Sequence, residues 1–301
     1  MRFDRVAITG GGGRLGRYVA DEIARHADVT VLDIEPGESP HRHTRVDVRD
    51  LAAVSRALEG HDAVIHLAAI DDGVAAPPEV YFETNVQGTW NVLHAAHQLG
   101  IARAAIASSI AATGIGRDGG SVKPRYLPVD EAHPLQPSGV YSLGKELDEA
   151  IARSFARRGV TRIACLRPTL IVRDAVAGQV DALARGVDYD ASQLDEPFTE
   201  PLPLLRGYVQ SRDAARAFRC ALEVDTGPFD VFLVAARDSI GHVDTLAYAR
   251  QTFGDAMPEL RKPELYERDP CAGLIDITHA RETLGWEPDG DWTTFVARAG
   301  R

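Results

Sequence analysis

Short apolar runs alternate with longer, partly polar segments along about the first 170 residues. The apolar runs predict strands at residues 5–9, 29–33, 63–68, 104–109 and 162–168. The longer segments between them predict helices at residues 14–26, 50–59, 79–99 and 141–158. Strands that alternate with helices are typical of a parallel sheet with helices on both faces. We therefore predict an α/β fold built on a doubly wound parallel sheet.

The pattern weakens after residue 172. Residues 186–208 are rich in Pro, Asp and Glu and show no clear period. We therefore predict a core over residues 1–172 and a smaller, loop-rich lobe over residues 173–301, which caps the open end of the sheet. Some segments of the lobe are expected to rejoin the core. The patterned segments of the lobe are a helix at 213–222, a strand at 229–235 and a short helix within 277–288 that ends on Gly285.

Composition narrows the class of protein. Of the 301 residues, 45% are apolar, which is enough to bury a sizeable core, and the formal net charge is -11 at pH 7. A surface this acidic repels nucleic acids and anionic membranes, so we expect neither as a partner. No apolar run approaches the ~18 residues that span a bilayer, and the first residues lack the layout of a signal peptide. We expect a cytoplasmic protein.

Neither the cysteines nor the histidines suggest a metal site. The three cysteines are widely spaced and form no C-x-x-C pair, which argues against zinc and against a disulfide framework. His41 and His43 form an H-x-H pair in a predicted loop with no third ligand evident. His94 and His97 lie on a predicted helix at a spacing typical of a surface. We expect no bound metal.

A glycine-rich loop follows the first predicted strand and opens the first predicted helix; it reads TGGGGRLG over residues 9–16. Gly10 permits a tight turn, Gly13 lets the backbone approach a pyrophosphate, and Gly16 lets the helix pack close to the strand. The free N–H groups and the dipole of a helix N-terminus favour the negative charge of phosphates. The loop predicts a Rossmann-type dinucleotide site, and an ordinary flexible loop is the alternative.

Asp33 ends the second predicted strand, about 20 residues beyond the glycines, where this fold places an acid on the ribose hydroxyls. A carboxylate here repels the additional phosphate of NADP, so we expect NAD as the cofactor and NADP as the less favoured alternative. Arg14 and Arg17 weaken this preference, because either side chain has the length to reach such a phosphate. Asp47 and Val48 follow another short strand and are expected beside the adenine ring, with a turn acid as the alternative for Asp47.

Tyr141 and Lys145 are four residues apart on a predicted helix, which places them on one face. A free phenol, with a pKa of about 10, is a poor acid or base at neutral pH. An ammonium one turn away stabilises the phenolate and lowers that pKa towards the working range. Ser108 and Ser109 end the preceding strand, where a hydroxyl is able to bind a substrate oxygen. Together these residues predict proton transfer beside a nicotinamide. The alternative is a surface tyrosine with a solvated lysine.

These motifs together resemble the extended short-chain dehydrogenase/reductase family, the group of NAD-dependent epimerases and dehydratases. The match runs through most of the chain. The motifs that carry it are TGGGGRLG, AVIHLAA (63–69), Asn85 in ETNVQGTWNVL, ASSIAATG (107–114), YSLGK, Arg167-Pro168-Thr169, RGYVQSRDAARAF (206–218) and THARETLGWEP.

The motifs and the resemblance assign three sets of site residues. The catalytic residues are Ser109, Tyr141 and Lys145. The cofactor-binding residues are Gly10, Gly13, Arg14, Leu15, Gly16, Asp33, Asp47, Val48, Leu67, Ala68, Ala69, Asn85, Ser108, Tyr141, Lys145, Pro168 and Thr169. The substrate-binding residues are Ser109, Ile110, Ala111, Tyr141 and Arg206.

Departures from the family pattern bear on the reaction. Sugar-nucleotide dehydratases of this family carry an Asp-Glu pair directly after the strand-four Ser or Thr, as the acid and base that eliminate water. Ile110 and Ala111 stand there in this chain, so dehydration is disfavoured. Uronate dehydrogenases carry a hydroxyl residue shortly after the third strand, where this chain has Asp71 and Asp72. That departure argues against uronate as the substrate.

The segment between Arg173 and Arg206 is short and acidic, which suits a nucleotide diphosphate poorly unless its acids face solvent. We expect a small polar substrate. The resemblance implies that Arg206 holds an anionic part of it, since family members place an arginine there and a planar guanidinium matches a carboxylate or phosphate. The alternative is a surface arginine. The acids of the segment are Asp181, Asp188, Asp190, Asp195, Glu196 and Glu200.

The sequence thus predicts an NAD-dependent oxidoreductase acting on a secondary alcohol or carbonyl of a small sugar, sugar acid or polyol. An NAD-dependent epimerase, which oxidises and re-reduces one substrate with retained cofactor, is the first alternative. A non-catalytic dinucleotide sensor is the second, and the intact Ser-Tyr-Lys set argues against it. The helices at 79–99 and 141–158 pair across dimers in similar proteins, so we expect a homodimer.

Overall fold

The computed structural model describes residues 3–72, 74–116, 122–190, 198 and 202–300. The strands are Arg5–Thr9 (β1), Asp28–Asp33 (β2), Arg42–Arg45 (β3), Ala63–His66 (β4), Arg103–Ala107 (β5), Tyr126–Leu127 (β6), Arg162–Pro168 (β7), Leu170–Val172 (β8), Tyr208–Gln210 (β9), Phe229–Val234 (β10) and Glu259–Leu260 (β11). The α-helices are Gly16–Ala24 (α1), Leu51–Leu58 (α2), Pro78–Tyr81 (α3), Gly88–Gln98 (α4), Val140–Ala156 (α5), Ala177–Arg185 (α6), Ser211–Glu223 (α7), Thr245–Phe253 (α8), Pro263–Arg268 (α9), Thr278–Leu284 (α10) and Trp292–Ala299 (α11).

Seven strands form one sheet in the order β10-β7-β5-β4-β1-β2-β3, and each neighbouring pair is parallel. The chain first builds outward from β1 through β2 to β3. It then crosses to the other side of β1 and builds outward again through β4, β5, β7 and β10. In open α/β sheets a crevice forms at such a reversal, outside the carboxyl ends of the strands. The predicted Rossmann-type doubly wound sheet is confirmed.

Strand β1 shows how both faces of the sheet are filled. Its side chains alternate in direction, so Val6 and Ile8 join one hydrophobic cluster and Ala7 joins the other. All three side chains are fully buried. Helices α1 and α7 contribute to the first cluster, whereas α2, α4 and α5 contribute to the second. Apolar layers on both faces explain why the strands of this sheet have apolar runs rather than alternating patterns.

The predicted core elements are present, with two differences. The helix predicted over 79–99 is interrupted, because Phe82–Gln87 forms a π-helical segment between α3 and α4. The predicted loop around His41 and His43 is wrong for His43, which lies in β3 with its Nε2 3.1 Å from the Asp33 carbonyl oxygen. His41 instead contacts the carboxylate of Asp21 at 2.8 Å.

The lobe after residue 172 also contains helices that the sequence pattern did not predict, namely α6, α8, α9 and α11. Helix α6 packs its Val180 against a cluster that includes Tyr208, Trp292 and Phe295, which are distant in sequence. Tertiary packing of this kind stabilises short helices whose own sequence signal is weak. Two predictions for this half are confirmed: β10 rejoins the sheet beside β7, and α10 ends on Gly285 in a left-handed conformation.

Within the described parts of the chain, no helix has both the length and the apolar character needed to cross a membrane.

Candidate active site

A cleft of about 770 Å³ lies outside the carboxyl ends of the strands on both sides of the β1–β4 reversal. Most of the residues predicted from the sequence line it. They are Gly10, Gly13, Arg14, Leu15, Gly16, Asp33, Asp47, Val48, Leu67, Ala68, Ala69, Ser108, Ser109, Tyr141, Lys145, Pro168 and Thr169. The glycine loop and the Tyr-Lys pair therefore share one cavity.

The glycines of the loop are required for different reasons. Gly10 has φ of +71°, and a Cβ there would lie 2.4 Å from the backbone nitrogen of Ala68. A Cβ on Gly16 would lie 2.3 Å from the Gly10 carbonyl oxygen, so the start of α1 closes against the turn. At Gly13 the nearest atom to such a Cβ is 3.3 Å away. The fold itself excludes side chains at 10 and 16, whereas the space beside Gly13 belongs to the cleft, as a bound pyrophosphate requires.

The carboxylate of Asp33 ties the second strand to the glycine loop. Its Oδ2 accepts a hydrogen bond of 3.0 Å from the Gly12 backbone N–H. A Cβ on Gly12 would lie 2.4 Å from the Glu35 carbonyl oxygen, so this glycine, which sequence reasoning did not single out, is also required. Oδ1 of Asp33 faces a second backbone N–H, that of Glu35, at 3.4 Å. The acid is half-buried at the edge of the cleft, where the fold places a ribose.

Both arginines near the glycine loop are engaged by acids. Arg14 Nη2 lies 2.7 Å from Asp71 Oδ2, and Arg17 forms an ion pair with Glu38. These four side chains are at least 45% exposed, so each pair contributes little to stability. Arg14 and Arg17 are the two cations that the sequence offered as ligands for the additional phosphate of NADP.

The predicted adenine end of the cleft is fixed by two contacts. The carboxylate of Asp47 binds the guanidinium of Arg49, with Nη2 2.6 Å from Oδ2, and this hydrogen bond lowers the pKa of Asp47. Asn91 Nδ2 donates to the backbone carbonyls of Val48 and Arg49 at 2.9 and 3.0 Å. Sequence reasoning missed Asn91, whose two hydrogen bonds fix the backbone that forms this wall of the cleft.

Asn85 supports the cleft without lining it. Its side-chain amide accepts from the Ile70 N–H at 2.7 Å and donates to the Ile70 carbonyl at 3.0 Å. The π-helical segment Phe82–Gln87 places this buried amide beneath the loop that follows β4. Such segments are frequent at functional sites. Asn85 therefore fixes the position of residues 67–70, three of which were predicted to pass the cofactor.

The residues predicted to transfer a proton lie as the helical spacing predicts. Lys145 Nζ donates to the Ala107 carbonyl at 2.7 Å and lies 5.6 Å from the centre of the Tyr141 ring. Ser109 Oγ accepts from the Ala111 N–H at 3.1 Å, which leaves the hydroxyl proton of Ser109 able to donate to a ligand. Tyr141 is half-buried and Lys145 is buried in the same wall of the cleft.

Ser108 has a structural partner. Its Oγ donates to Glu149 Oε1 at 2.6 Å, and Glu149 accepts two hydrogen bonds of 2.7 Å from the Arg167 guanidinium. Glu149 and Arg167 are both buried. A bidentate, fully buried ion pair of this type fixes geometry strongly. It links α5, which carries Tyr141, to β7, which leads to Pro168 and Thr169.

A buried polar chain that the sequence did not suggest runs beneath the Tyr-Lys pair. Thr89 Oγ1 donates its proton to the Asn85 carbonyl at 2.7 Å, so His66 Nε2 must donate to Thr89 at 3.0 Å. The other ring nitrogen of His66, Nδ1, then accepts from Thr9 Oγ1 at 2.6 Å. Burial, followed by the charge of Lys145, lowers the pKa of His66 to about 3. His66 is therefore a neutral, structural histidine at neutral pH.

Three of the predicted substrate-binding residues do not line the cleft. Ile110 and Ala111 open a short 3-10 helix, and Ala111 is buried. The guanidinium of Arg206 lies over the ring of Tyr248 and donates to the Ile240 carbonyl at 3.2 Å. The side chain is directed to these partners from a residue with a positive φ of 47°. Arg206, which was predicted to bind an anionic part of the substrate, therefore does not line the cleft.

Residues that the sequence did not suggest also line the cleft. Arg173, directly after β8, lines the cleft, as do Phe198 and Ser211. Sequence reasoning missed all three, although an arginine next to the predicted core boundary was a usable signal. Of the acids expected near the substrate, Asp181 is engaged by Trp292 Nε1 at 2.7 Å and by Arg185. Asp188 and Asp190 are exposed, and Asp195, Glu196 and Glu200 lie outside the described residues.

Within the residues that the structure describes, no three His, Cys, Asp or Glu side chains are grouped as a metal site requires.

Comparison with known proteins decides the family. The NAD dependent epimerase/dehydratase family matches residues 6–235, which is well over half of the chain. The chain belongs to this family. It is an NAD(P)-dependent enzyme of the extended short-chain dehydrogenase/reductase type, as the sequence resemblance predicted.

Relatives include both dehydrogenases and epimerases. An L-arabinose 1-dehydrogenase (NAD(P)(+)) of Haloferax volcanii is 33% identical over 183 residues, which cover 59% of this chain and 71% of the relative. A UDP-glucose 4-epimerase of Lactobacillus helveticus is 26% identical over 322 residues, which cover 94% and 92%. A short-chain dehydrogenase/reductase superfamily protein from Agrobacterium tumefaciens with bound NAD has a TM-score of 0.73 at 23% identity, over 98% of this chain and 95% of that one. At this identity the solved structure establishes the shared fold.

The geometry of the loop predicts that Gly13→Ala folds but loses cofactor affinity. The new methyl group meets one protein atom at 3.3 Å but occupies the space predicted for the pyrophosphate, so we expect NAD affinity to fall by roughly tenfold or more. Calorimetric titration with NAD and thermal unfolding measure the two properties. Gly16→Ala is the contrasting variant, because its Cβ would lie 2.3 Å from a backbone oxygen, and we expect it to lower thermal stability. Unchanged NAD affinity in Gly13→Ala would contradict the placement of the phosphates.

Proposed function

We propose that this enzyme is an NAD-dependent dehydrogenase acting on a secondary alcohol of a small sugar, sugar acid or polyol. The observation that carries the proposal is the position of the Lys145 ammonium. It is held at the Ala107 carbonyl beside the ring of Tyr141, in the same cleft as the glycine loop. The lysine thus shares a cleft with Tyr141 and with the proposed dinucleotide site, so one ammonium would serve both.

Residues from the two ends of the cleft would hold the cofactor. The N–H groups at the start of α1 and the space at Gly13 fit a pyrophosphate, and the Asp33 carboxylate fits ribose hydroxyls. Pro168 and Thr169 would lie along the nicotinamide. When bound, the nicotinamide supplies the hydride acceptor for the carbinol carbon.

The protein's own groups move the proton. Ser109 donates its hydroxyl proton to the reacting oxygen and fixes it beside Tyr141. Tyr141 as phenolate takes the proton of the substrate hydroxyl as the carbon–hydrogen bond breaks, and a carbonyl forms. Lys145 stabilises the phenolate by its charge, and its ammonium would also help to hold the nicotinamide ribose. The reverse reduction uses the same groups, with Tyr141 donating.

The residues proposed to contact the substrate favour a small polar molecule. We propose that the chain after residue 172 supplies this side through Arg173, Phe198 and Ser211, and that Arg173 takes the anion-binding role that the sequence suggested for Arg206. Two relatives, an L-arabinose 1-dehydrogenase and an NAD-dependent glucose-6-phosphate dehydrogenase, both of Haloferax volcanii, act on single sugars by name. Ile110 and Ala111 provide neither the acid nor the base that dehydration needs.

An epimerase is the second candidate, because UDP-glucose 4-epimerases match almost the full length of the chain. Such an enzyme uses the same Tyr-Lys pair but returns the hydride to the same substrate. The two candidates differ in an observable: a dehydrogenase accumulates NADH, whereas an epimerase keeps its cofactor and accumulates none.

The activity test compares the wild-type enzyme with Tyr141→Phe in the presence of NAD and a panel of sugars, sugar acids and polyols. We expect NADH absorbance to grow with one class of compound, and turnover to fall by roughly 10²- to 10⁴-fold in the variant, since general acid–base catalysis contributes about this much. NAD affinity, measured by calorimetry, should change little. Full activity in Tyr141→Phe would sink the mechanism, and bound cofactor without NADH growth would favour the epimerase.

We propose a preference for NAD over NADP. Support comes from the Asp33 carboxylate at the ribose position and from the acids that neutralise Arg14 and Arg17. Replacing Asp33 with Ser removes the like charge that repels the additional phosphate. We expect the ratio of NAD to NADP affinity to fall by roughly tenfold or more in Asp33→Ser. Asp50→Ser, at an exposed helix-capping acid beyond the cleft, is the matched control and should leave the ratio unchanged. Wild-type enzyme that binds NADP more tightly than NAD would refute the preference.

A further inference from the structure

The Lys145 ammonium has a second neighbour, which the proton-transfer set does not use. Its Nζ lies 3.5 Å from Oδ2 of Asp148, on the next turn of α5. Only 4% of Lys145 and 2% of Asp148 are exposed to solvent. Removing a carboxylate from water is costly, so an acid buried at this depth calls for a physical account.

Stability does not explain Asp148. Among the described residues, its Oδ1 has no hydrogen-bond partner. Burial raises the pKa of Asp148 to about 6, against the lowering effect of the Lys145 charge. A carboxyl whose pKa is higher in the folded than in the unfolded chain weakens folding when it is ionised. That cost is fully present above the folded pKa and disappears as the pH falls below the unfolded value.

The other titratable groups around the pair do not oppose the lysine charge. Glu149, from the same helix, is already bound to Arg167 of β7. His66 of β4 is neutral, because burial lowers its pKa to about 3. The thiol of Cys165 on β7 is buried, which raises its pKa and keeps it protonated. The carboxylate of Asp148 is therefore the negative charge that acts directly on the Lys145 ammonium.

We propose that Asp148 is a positioning residue whose carboxylate competes with the Tyr141 phenolate for the Lys145 ammonium and so sets the pH at which Tyr141 gives up its proton. The inference rests on the proposed role of Tyr141 as the proton acceptor. This role gives the buried acid a function. Asp148 and the Ala107 carbonyl both hold the Lys145 ammonium, and the negative charge of Asp148 weakens the stabilisation that the ammonium gives to the Tyr141 phenolate. Without the carboxylate, the full charge of the ammonium acts on Tyr141, and the phenolate forms at lower pH.

The test is a titration of Tyr141 that needs no substrate. The ultraviolet absorbance of phenolate is followed against pH in the full-length protein and in the same protein carrying Tyr141→Phe, and the difference belongs to Tyr141. The pair of titrations is repeated in Asp148→Asn and Asp148→Ala backgrounds. Glu146→Gln is the matched control, because it removes the same charge from the same helix at a partly exposed position. Thermal unfolding at several pH values accompanies each protein.

We expect the Tyr141 transition to move to lower pH by about one unit in both Asp148 variants and to stay in place in Glu146→Gln. Asp148→Asn should also unfold at a higher temperature than wild type at neutral pH, with the gain shrinking towards pH 4. An unchanged or upward-shifted transition in the Asp148 variants would overturn the proposal. Because the titration is independent of turnover, an enzyme that produces no NADH but shows the shift would contradict the proposed function and leave this inference standing.

Discussion

The Lys145 ammonium is the charge on which the arrangement of the cleft depends. A buried ammonium needs hydrogen-bond partners, and here the Ala107 carbonyl accepts at 2.7 Å while the Asp148 carboxylate lies 3.5 Å away. Its position relative to Tyr141 follows from a single helix, α5, in which residues four apart share a face. Its position relative to the sheet follows from β5, whose last residue supplies the carbonyl. One contact thus joins the helix that carries the proton-transfer residues to the strand edge where ligands bind.

Buried polar contacts keep that joint rigid from several sides. The Ser108–Glu149–Arg167 contacts fix α5 against β7, and the Thr9–His66–Thr89 contacts connect the end of β1 to α4. Asn85 fixes the loop after β4 through both hydrogen bonds to Ile70. These groups are satisfied within the protein, so the strand ends that form the cleft are set before any ligand binds.

The sequence was informative where the signal is local. The glycine loop, the terminal acid of β2 and the Tyr141–Lys145 spacing depend on neighbouring residues, and the structure brings all of them into one cleft. Sequence patterns failed where packing between segments that are distant in the chain determines the local structure. Helix α6 packs against Trp292 and Phe295, more than a hundred residues away, so its sequence alone did not predict a helix. The π-helical segment around Asn85 lies within a stretch whose pattern predicts one continuous helix, so the pattern does not reveal it.

The same distinction explains the substrate side. Arg206 was chosen because of a motif, but its guanidinium is taken by Tyr248 and the Ile240 carbonyl, residues that only the fold brings near. Arg173 enters the cleft because β8 pairs with β9 and ends there. Asp148 has no motif at all; its relation to Lys145 becomes meaningful only when burial and the neutrality of His66 are known.

The central claim, that a carbinol hydrogen passes to the nicotinamide while Tyr141 takes the hydroxyl proton, is tested most directly by isotope transfer. A substrate that the enzyme oxidises is prepared with deuterium on the carbinol carbon and incubated with the enzyme and NAD. The released NADH is then analysed by mass spectrometry. The account predicts NADH carrying one deuterium in equal amount to the carbonyl product. Deuterium retained in an isomerised substrate, or lost to solvent without labelled NADH, would contradict it.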